Sequence, residues 1–413
     1  MTLILLLMLQ ATAGISFDQL AQTALAQNKS LQAAREQLRQ AEGRLKQAGL
    51  RPNPSLDLSG TTDVLFANEG ENGFAVTFSQ PFELGGKRPR RIQVSEAEVE
   101  LAKAEIADAE RQLIGQLKTA YLRAAETSAR LNFLERGRGL NQQMMQVMTV
   151  RLSSGDASRL ESHLLQAENN RIEAQRLSAE SQLMQEMLEL RKIAGLSPTE
   201  LVSLPSLPVT INASREPEAD LIEAAFRTRP DLRAARIRET LANAGVMLAR
   251  AQVAPTIVGF VRYAREPNVS RFATATQPQA FSKDSLLDFG VSIPLPLWNR
   301  EQGNIQEATS RTAQATAERE ALENTIRMEV TAALRRYEFA VRSLELTRSG
   351  IVGETEAGFS ITQLAYRLGD AKLTDVLFQQ RSVIEAQIGA LAAEAEVAIA
   401  QAGLELALGT LSK

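Results

Sequence analysis

The chain is written twice. A shift of 201 residues lays Leu20, Ala24, Leu31, Ala33, Ala34, Arg35 and Pro54 on Leu221, Ala225, Leu232, Ala234, Ala235, Arg236 and Pro255. Farther on the shift becomes 215, and Phe74 and Val76 meet Phe289 and Val291. Along the longest helical stretch it is 213, so that Leu113, Leu117, Ala120 and Leu131 fall on Ile326, Val330, Ala333 and Leu344. After the helix break it is 214, pairing Gly155 with Gly369, Glu161 with Asp375 and Gly195 with Gly409. A duplication of this kind obliges one fold unit to be built twice and packed on itself. The expected copies are residues 14–210 and 211–413, each reading helix–strand–strand–helix–turn–helix.

The longest run, residues 87–151, carries Val99, Ile106, Leu113, Ala120 and Leu134 on one heptad track and Leu117, Ala124 and Leu131 on another. Spacings of four and three are the seam of a helix packed against other long helices. Pro89 falls in the first turn, where its missing N–H does no harm. At 1.5 Å per residue such a helix is about 90 Å long, a rod rather than a globule. In the first copy the other helices are expected at 16–48 and 158–194; in the second, at 218–252, 303–366 and 372–409.

Between the helices the period changes to two. Strands are expected at 55–66, 73–82, 256–265 and 286–297, each with one apolar and one polar face. The apolar positions are Leu56, Leu58, Val64, Phe74, Val76, Phe78, Ile257, Val261, Tyr263, Phe289, Val291 and Ile293. Ten residues is the length a tilted strand needs to cross a bilayer. Four strands do not close a barrel, and lipid tolerates no open edge, so several chains must share one. Two copies would supply eight strands and three would supply twelve. The soluble alternative is a half-buried sheet covering a helical core.

Aromatics make up 5% of the residues, which points to Ala/Leu seams inside. A net charge of −3 gives no reason to expect nucleic acid, and zero cysteines excludes disulfides, thiolate metal sites and cysteine nucleophiles. Leu3–Leu9 followed by Ala11-Thr12-Ala13 reads as a signal peptide over 1–13, although no Lys or Arg precedes it. The alternative for that run is a buried N-terminal helix. No later stretch is apolar and long enough to be a transmembrane helix, so any membrane crossing falls to the strands.

Arg51-Pro52-Asn53-Pro54-Ser55-Leu56, Gln80-Pro81-Phe82-Glu83-Leu84-Gly85-Gly86-Lys87-Arg88, the stretch from Tyr366 to Leu377, and Ala407-Leu408-Gly409-Thr410-Leu411 resemble segments of the TolC-type outer-membrane factors. The first two resemble its CzcC-like, cation-efflux branch. The resemblance implies a mainly α fold with a small β part: a homotrimer sharing a twelve-stranded transmembrane β-barrel, continued by a long coiled-coil α-barrel in the periplasm. It also implies a passive outer-membrane exit duct served by a periplasmic adaptor and an inner-membrane RND-type pump, carrying metal cations, with multidrug or type I protein secretion as the runner-up. A soluble periplasmic coiled-coil scaffold is the reading from a different class.

Enzyme chemistry finds no foothold. His163 is the only histidine and reads as a surface or seam residue. Gly85-Gly86-Lys87-Arg88 lacks the leading glycine and trailing hydroxyl of a P-loop. Lys87, Arg88, Arg90 and Arg91 read as a solvated strand–helix junction, and Met144, Met145 and Met148 as seam packing rather than a soft-metal stripe. No cofactor and no metal site is expected. The two helix breaks are the candidate gate: Arg151, Gly155, Asp156 and Glu161 in one copy, Arg367, Gly369, Asp370 and Asp375 in the other. The resemblance implies that these turns form a closed periplasmic mouth with Asp375 ringing the pore. Phe378 occupies the position of the family pattern's second acid.

Overall fold

The computed structural model describes residues 15–62, 72–155, 158–205, 216–269 and 281–410. The expected signal peptide, Val64 and Asp156 fall outside those residues. Two compact units divide the chain, and neither is a sequence copy. A sheet unit takes residues 37–103 and 234–320, and a helical unit takes 1–36, 104–233 and 321–413, so each draws on both copies.

In the sheet unit, β1 (Ser55–Thr62), β2 (Asn72–Glu83), β3 (Thr256–Val269) and β4 (Phe281–Ser292) form one antiparallel sheet in that order. Strand four sits earlier than the 286–297 expected and ends at Ser292, because Pro294 and Pro296 have no N–H to give a ladder. Ile293 therefore lies just beyond the strand. Strand three runs on past 265 to Val269. The paired copies meet at the sheet's centre, where β2 of the first lies beside β3 of the second. All four strands join helices at the same end of the sheet: α2 (Lys29–Ala48) before β1, α3 (Lys87–Ser154) after β2, α6 (Pro230–Gln252) before β3, and α7 (Gln302–Glu345) after β4.

The basic run at 87–91 holds that junction together. Arg91 donates to Ala48 O (3.1 Å) and Leu50 O (3.2 Å) and pairs with Glu83 at 2.7 Å. Arg88 Nε donates to Gly49 O at 2.7 Å, and Lys87 Nζ to Thr256 Oγ1 at 3.0 Å. Orphan carbonyls at the end of α2 thus find partners, as a helix C-terminus requires.

The helical unit shows the duplication most plainly. Leu20, Leu117 and Leu190 are fully buried together, and their counterparts Leu221, Val330 and Leu404 form the matching cluster. The single helices expected over 16–48 and 218–252 are each broken in two. α1 (Phe17–Gln27) stops at Asn28, whose side chain accepts from Leu31 N at 3.1 Å and so also starts α2. α5 (Glu218–Thr228) stops at Arg229, because Pro230 excludes the residue before it from the helical region. α4 (Arg159–Ala194) and α9 (Leu373–Leu408) are the return helices. The expected helix 303–366 is α7, a π-helical turn at Leu346–Val352, and α8 (Gly353–Leu368). The π-turn absorbs a one-residue insertion: Gly369 lies one residue farther from Leu344 than Gly155 does from Leu131. Bonds from i to i+5 take up such a residue without ending the helix.

Candidate functional site

Two surfaces answer the sequence expectations, one in each unit. In the sheet, directly opposed residues share a face. One row is Leu58, Val76, Tyr263 and Leu287; the next is Leu56, Phe78, Val261 and Phe289. Phe82 beside Ile257, and Val291 beside Gly259, continue the face toward the helix end. Ten of the twelve expected apolar residues share this face, Val64 and Ile293 being the two that do not lie in a described strand. Most of it is open: Leu58 is 72% exposed and Phe289 82%. Phe82 and Leu287 belong to it although sequence reasoning did not name them. The opposite face carries Asp57, Thr77, Arg262 and Asp288 across one row. There Arg262 pairs with Glu266 at 2.9 Å and Asp288 at 3.5 Å. β1 and β4 are the two edges, and the described residues offer neither a further strand.

In the helical unit the second surface is the pair of helix tips. Gly155 and Gly369 both adopt the left-handed region, φ +82° and +86°, with open space where a Cβ would sit. Glycine is needed here for the backbone, not for room. The tips pack on Met148, Leu165, Leu373 and Leu377, with Met144 and Met145 half-buried beside them, so the methionines fill a seam. Arg151 Nη1 donates to Tyr366 Oη at 3.0 Å and ties one tip to the other. A groove of about 910 Å³, lined among others by Leu140, Met144, Val147, Phe359 and Val376, runs between α3, α8 and α9.

The expected gate acids are engaged locally. Glu161 accepts from Ser158 N at 2.8 Å while Ser158 Oγ accepts from Glu161 N at 3.2 Å, a capping box at the start of α4. Asp375 takes the same position on α9, accepting from Lys372 N at 3.0 Å. Arg367 and Asp370 are exposed, Arg367 lines the groove between the tips, and among the described residues no ion pair joins Arg367 to Asp375. The tips are tied instead by Tyr366, a residue the sequence reading quoted in a motif and gave no role.

Sequence reasoning also missed Glu168. It is completely buried on α4, with Arg171 at 2.6 Å and Arg381 of α9 at 2.6 Å. Burial works to raise its carboxyl, but hydrogen bonds from the two arginines outweigh that and hold it below the ordinary range. Its signal was present: a glutamate on the apolar stripe of Leu165 and Ile172.

His163 is exposed. The described residues contain no cluster of His, Cys, Asp or Glu fit to hold a metal, and no helix among them is long and apolar enough to cross a membrane.

The sequence profile of the outer membrane efflux proteins matches residues 20–196 and 221–410, one segment in each copy. The cobalt-zinc-cadmium resistance protein CzcC of Cupriavidus metallidurans is 23% identical over 92% of this chain and 86% of its own length. The pyoverdine export outer membrane protein OpmQ of Pseudomonas putida is 24% identical over 92% and 82%. Among solved structures, CusC superposes with a TM-score of 0.79 at 17% identity, covering 96% of this chain and 92% of that one.

Proposed function

The chain belongs to the outer membrane efflux protein family, and from that membership we propose that it is the passive exit duct of a tripartite pump, assembled from three copies and carrying metal cations. It is an outer-membrane efflux channel extending into the periplasm, and not an enzyme. The observation that carries the finer reading is the open four-stranded sheet with one exposed apolar face and two edges that no other described strand pairs. An open edge in lipid leaves backbone groups unsatisfied, so β1 of one copy must find β4 of the next. The apolar residues from Leu56 to Val291 then face lipid, and the Asp57–Arg262–Asp288 face lines water. Three copies give twelve strands.

The helix tips are the periplasmic mouth. Arg151 and Tyr366 hold it closed, and a periplasmic adaptor coupled to an inner-membrane RND-type pump releases it. Asp375, repeated three times, favours cations in the opening. The metal cargo rests on likeness to the cobalt-zinc-cadmium resistance protein; the pump upstream selects what enters. Pyoverdine export by another relative keeps organic cargo as the second reading.

Membrane extraction followed by native mass measurement tests the assembly. The duct requires detergent for release and weighs three chains. A soluble scaffold washes off with salt.

A further inference from the structure

Two consecutive residues of α9 grip the first copy's helices well above the tips. Gln380 Nε2 donates to Asn141 Oδ1 of α3 at 2.9 Å, and Arg381 Nε donates to Glu168 of α4 at 2.6 Å. Arg171 closes on the same carboxylate at 2.6 Å. Asn141 and Glu168 are both completely buried. Asn141 lies fourteen residues before Gly155 and Glu168 thirteen after it. At 1.5 Å per residue this node stands about 20 Å from the turn. The duplicated fold does not call for it, since Ser382 holds the Glu168 position in the second copy.

The two sides of the node differ in packing. Beyond it α9 sinks into the core, with Ile384, Ala390, Val397 and Ile399 buried. Toward the tips α9 buries only Leu373, Val376 and Leu377. α8 has no buried residue, and neither has the π-turn before it. Few buried contacts mark a segment that opens at low cost. The tie between the tips is equally slight, one hydrogen bond from Arg151 to the Tyr366 phenol. The node is of another kind. Pulling Arg381 off Glu168 strips one of two partners from a carboxylate that water does not reach, which is among the costliest losses in a packed interior. Parting Asn141 from Gln380 leaves a buried amide without its bond.

Resting on the reading of the tips as a periplasmic mouth, we propose that the Asn141–Gln380 and Glu168–Arg381 node is a built-in stop. When the mouth opens, the hairpin of α8 and α9 parts from that of α3 and α4 between the turns and this level, and no farther. The node thereby limits how wide the mouth becomes and keeps the helix wall beyond it closed.

The chain has no cysteine, so spin labels attach only where one is introduced. One pair is His163→Cys with Thr374→Cys, at exposed positions of α4 and α9 between the node and the tips. The other is Ala174→Cys with Glu385→Cys, exposed on the same helices beyond the node. Labelled chains are diluted into unlabelled ones so that each assembly carries a single pair. Distances are read by double electron–electron resonance in detergent, with and without Tyr366→Phe. The stop predicts that Tyr366→Phe lengthens the 163–374 distance and leaves the 174–385 distance unchanged. Adding Glu168→Gln then lengthens the 174–385 distance as well. Two distances that lengthen together in Tyr366→Phe alone overturn the stop and leave the mouth standing, as does a 174–385 distance indifferent to Glu168→Gln. The first comparison alters nothing at the node, so it decides even where Glu168→Gln fails to fold. If neither distance moves while planar bilayers show the Tyr366→Phe channel open, the stop falls and the duct remains. If neither moves and the bilayers stay silent, the pore reading fails and takes the stop with it.

Discussion

The two copies solve one docking problem with different residues. Where the short first helix ends against the return helix, the first copy uses Asn28 Nδ2, which donates to Ile193 O at 3.0 Å. The second uses the Arg229 guanidinium, which donates to Ala407 O at 3.1 Å, the equivalent carbonyl. Asn28 stops there. Arg229, 4% exposed, also pairs with Asp231 and Glu329, both at 2.6 Å. Arg111 of α3 reaches the same end, donating to Leu406 O at 2.7 Å and lying 3.7 Å from Asp231. The backbone problem is fixed by the fold, and the side chain that answers it is free to diverge. The copies differ again at the tips, where α3 runs unbroken and its counterpart takes a π-turn at Leu346–Val352.

Breaking the Arg229 knot is expected to have the largest effect. Arg229→Ala takes the nearest ion-pair partner from the half-buried Asp231 carboxylate and should cost about 3 kcal/mol in denaturant unfolding of the detergent-solubilised protein. Asn28→Ala, which removes one cap and one hydrogen bond, should cost about 1 kcal/mol. Equal losses would mean that the ion pairs around Arg229 contribute nothing beyond the shared hydrogen bond.

On the strands the contrast is between faces. Phe289→Arg should lower barrel stability by about 2–4 kcal/mol, measured by heat-modifiable gel migration. Thr77→Arg, on the opposite face, should be nearly silent. Similar losses would remove the assignment of one face to lipid.

Glu168 has no acidic twin in the second copy, where Ser382 occupies its position. Glu168→Gln should cost about 2 kcal/mol at neutral pH, because two arginines lose a charged acceptor. The sign with pH follows from its lowered pKa. The carboxylate's contribution is fully present above the unfolded pKa and is lost as pH falls through the folded one. The gap between wild type and variant should therefore close on acidification. A gap independent of pH would assign the effect to packing.

The smallest expected effects concern the tips. Tyr366→Phe removes the hydrogen bond from Arg151 and should cost under about 1 kcal/mol, while raising the open fraction in channel recordings. Asp375→Asn should lower cation preference there, and Glu161→Asn should not.

The sequence made the duplication, the strand faces and the turns at Gly155 and Gly369 legible, because each is written in periodicity or in a residue type that backbone geometry demands. The breaks at Asn28 and Arg229 were hidden, since leucines continue at helical spacing through both and only Pro230 hints at one of them. The π-turn was present as the change of shift from 213 to 214, a difference that fits an insertion anywhere in that helix until the backbone is seen. The Arg151–Tyr366 bond joins residues from different copies. Arg151 was named with the candidate gate, but neither copy's own pattern encodes its bond to Tyr366.

The central claim is that edge strands left open in one chain close with those of sister chains to make a hole through lipid. Planar-bilayer recording of the detergent-purified protein tests it most directly. Discrete conductance steps that persist after a salt wash are predicted; a bilayer that stays electrically silent with folded protein present would contradict it.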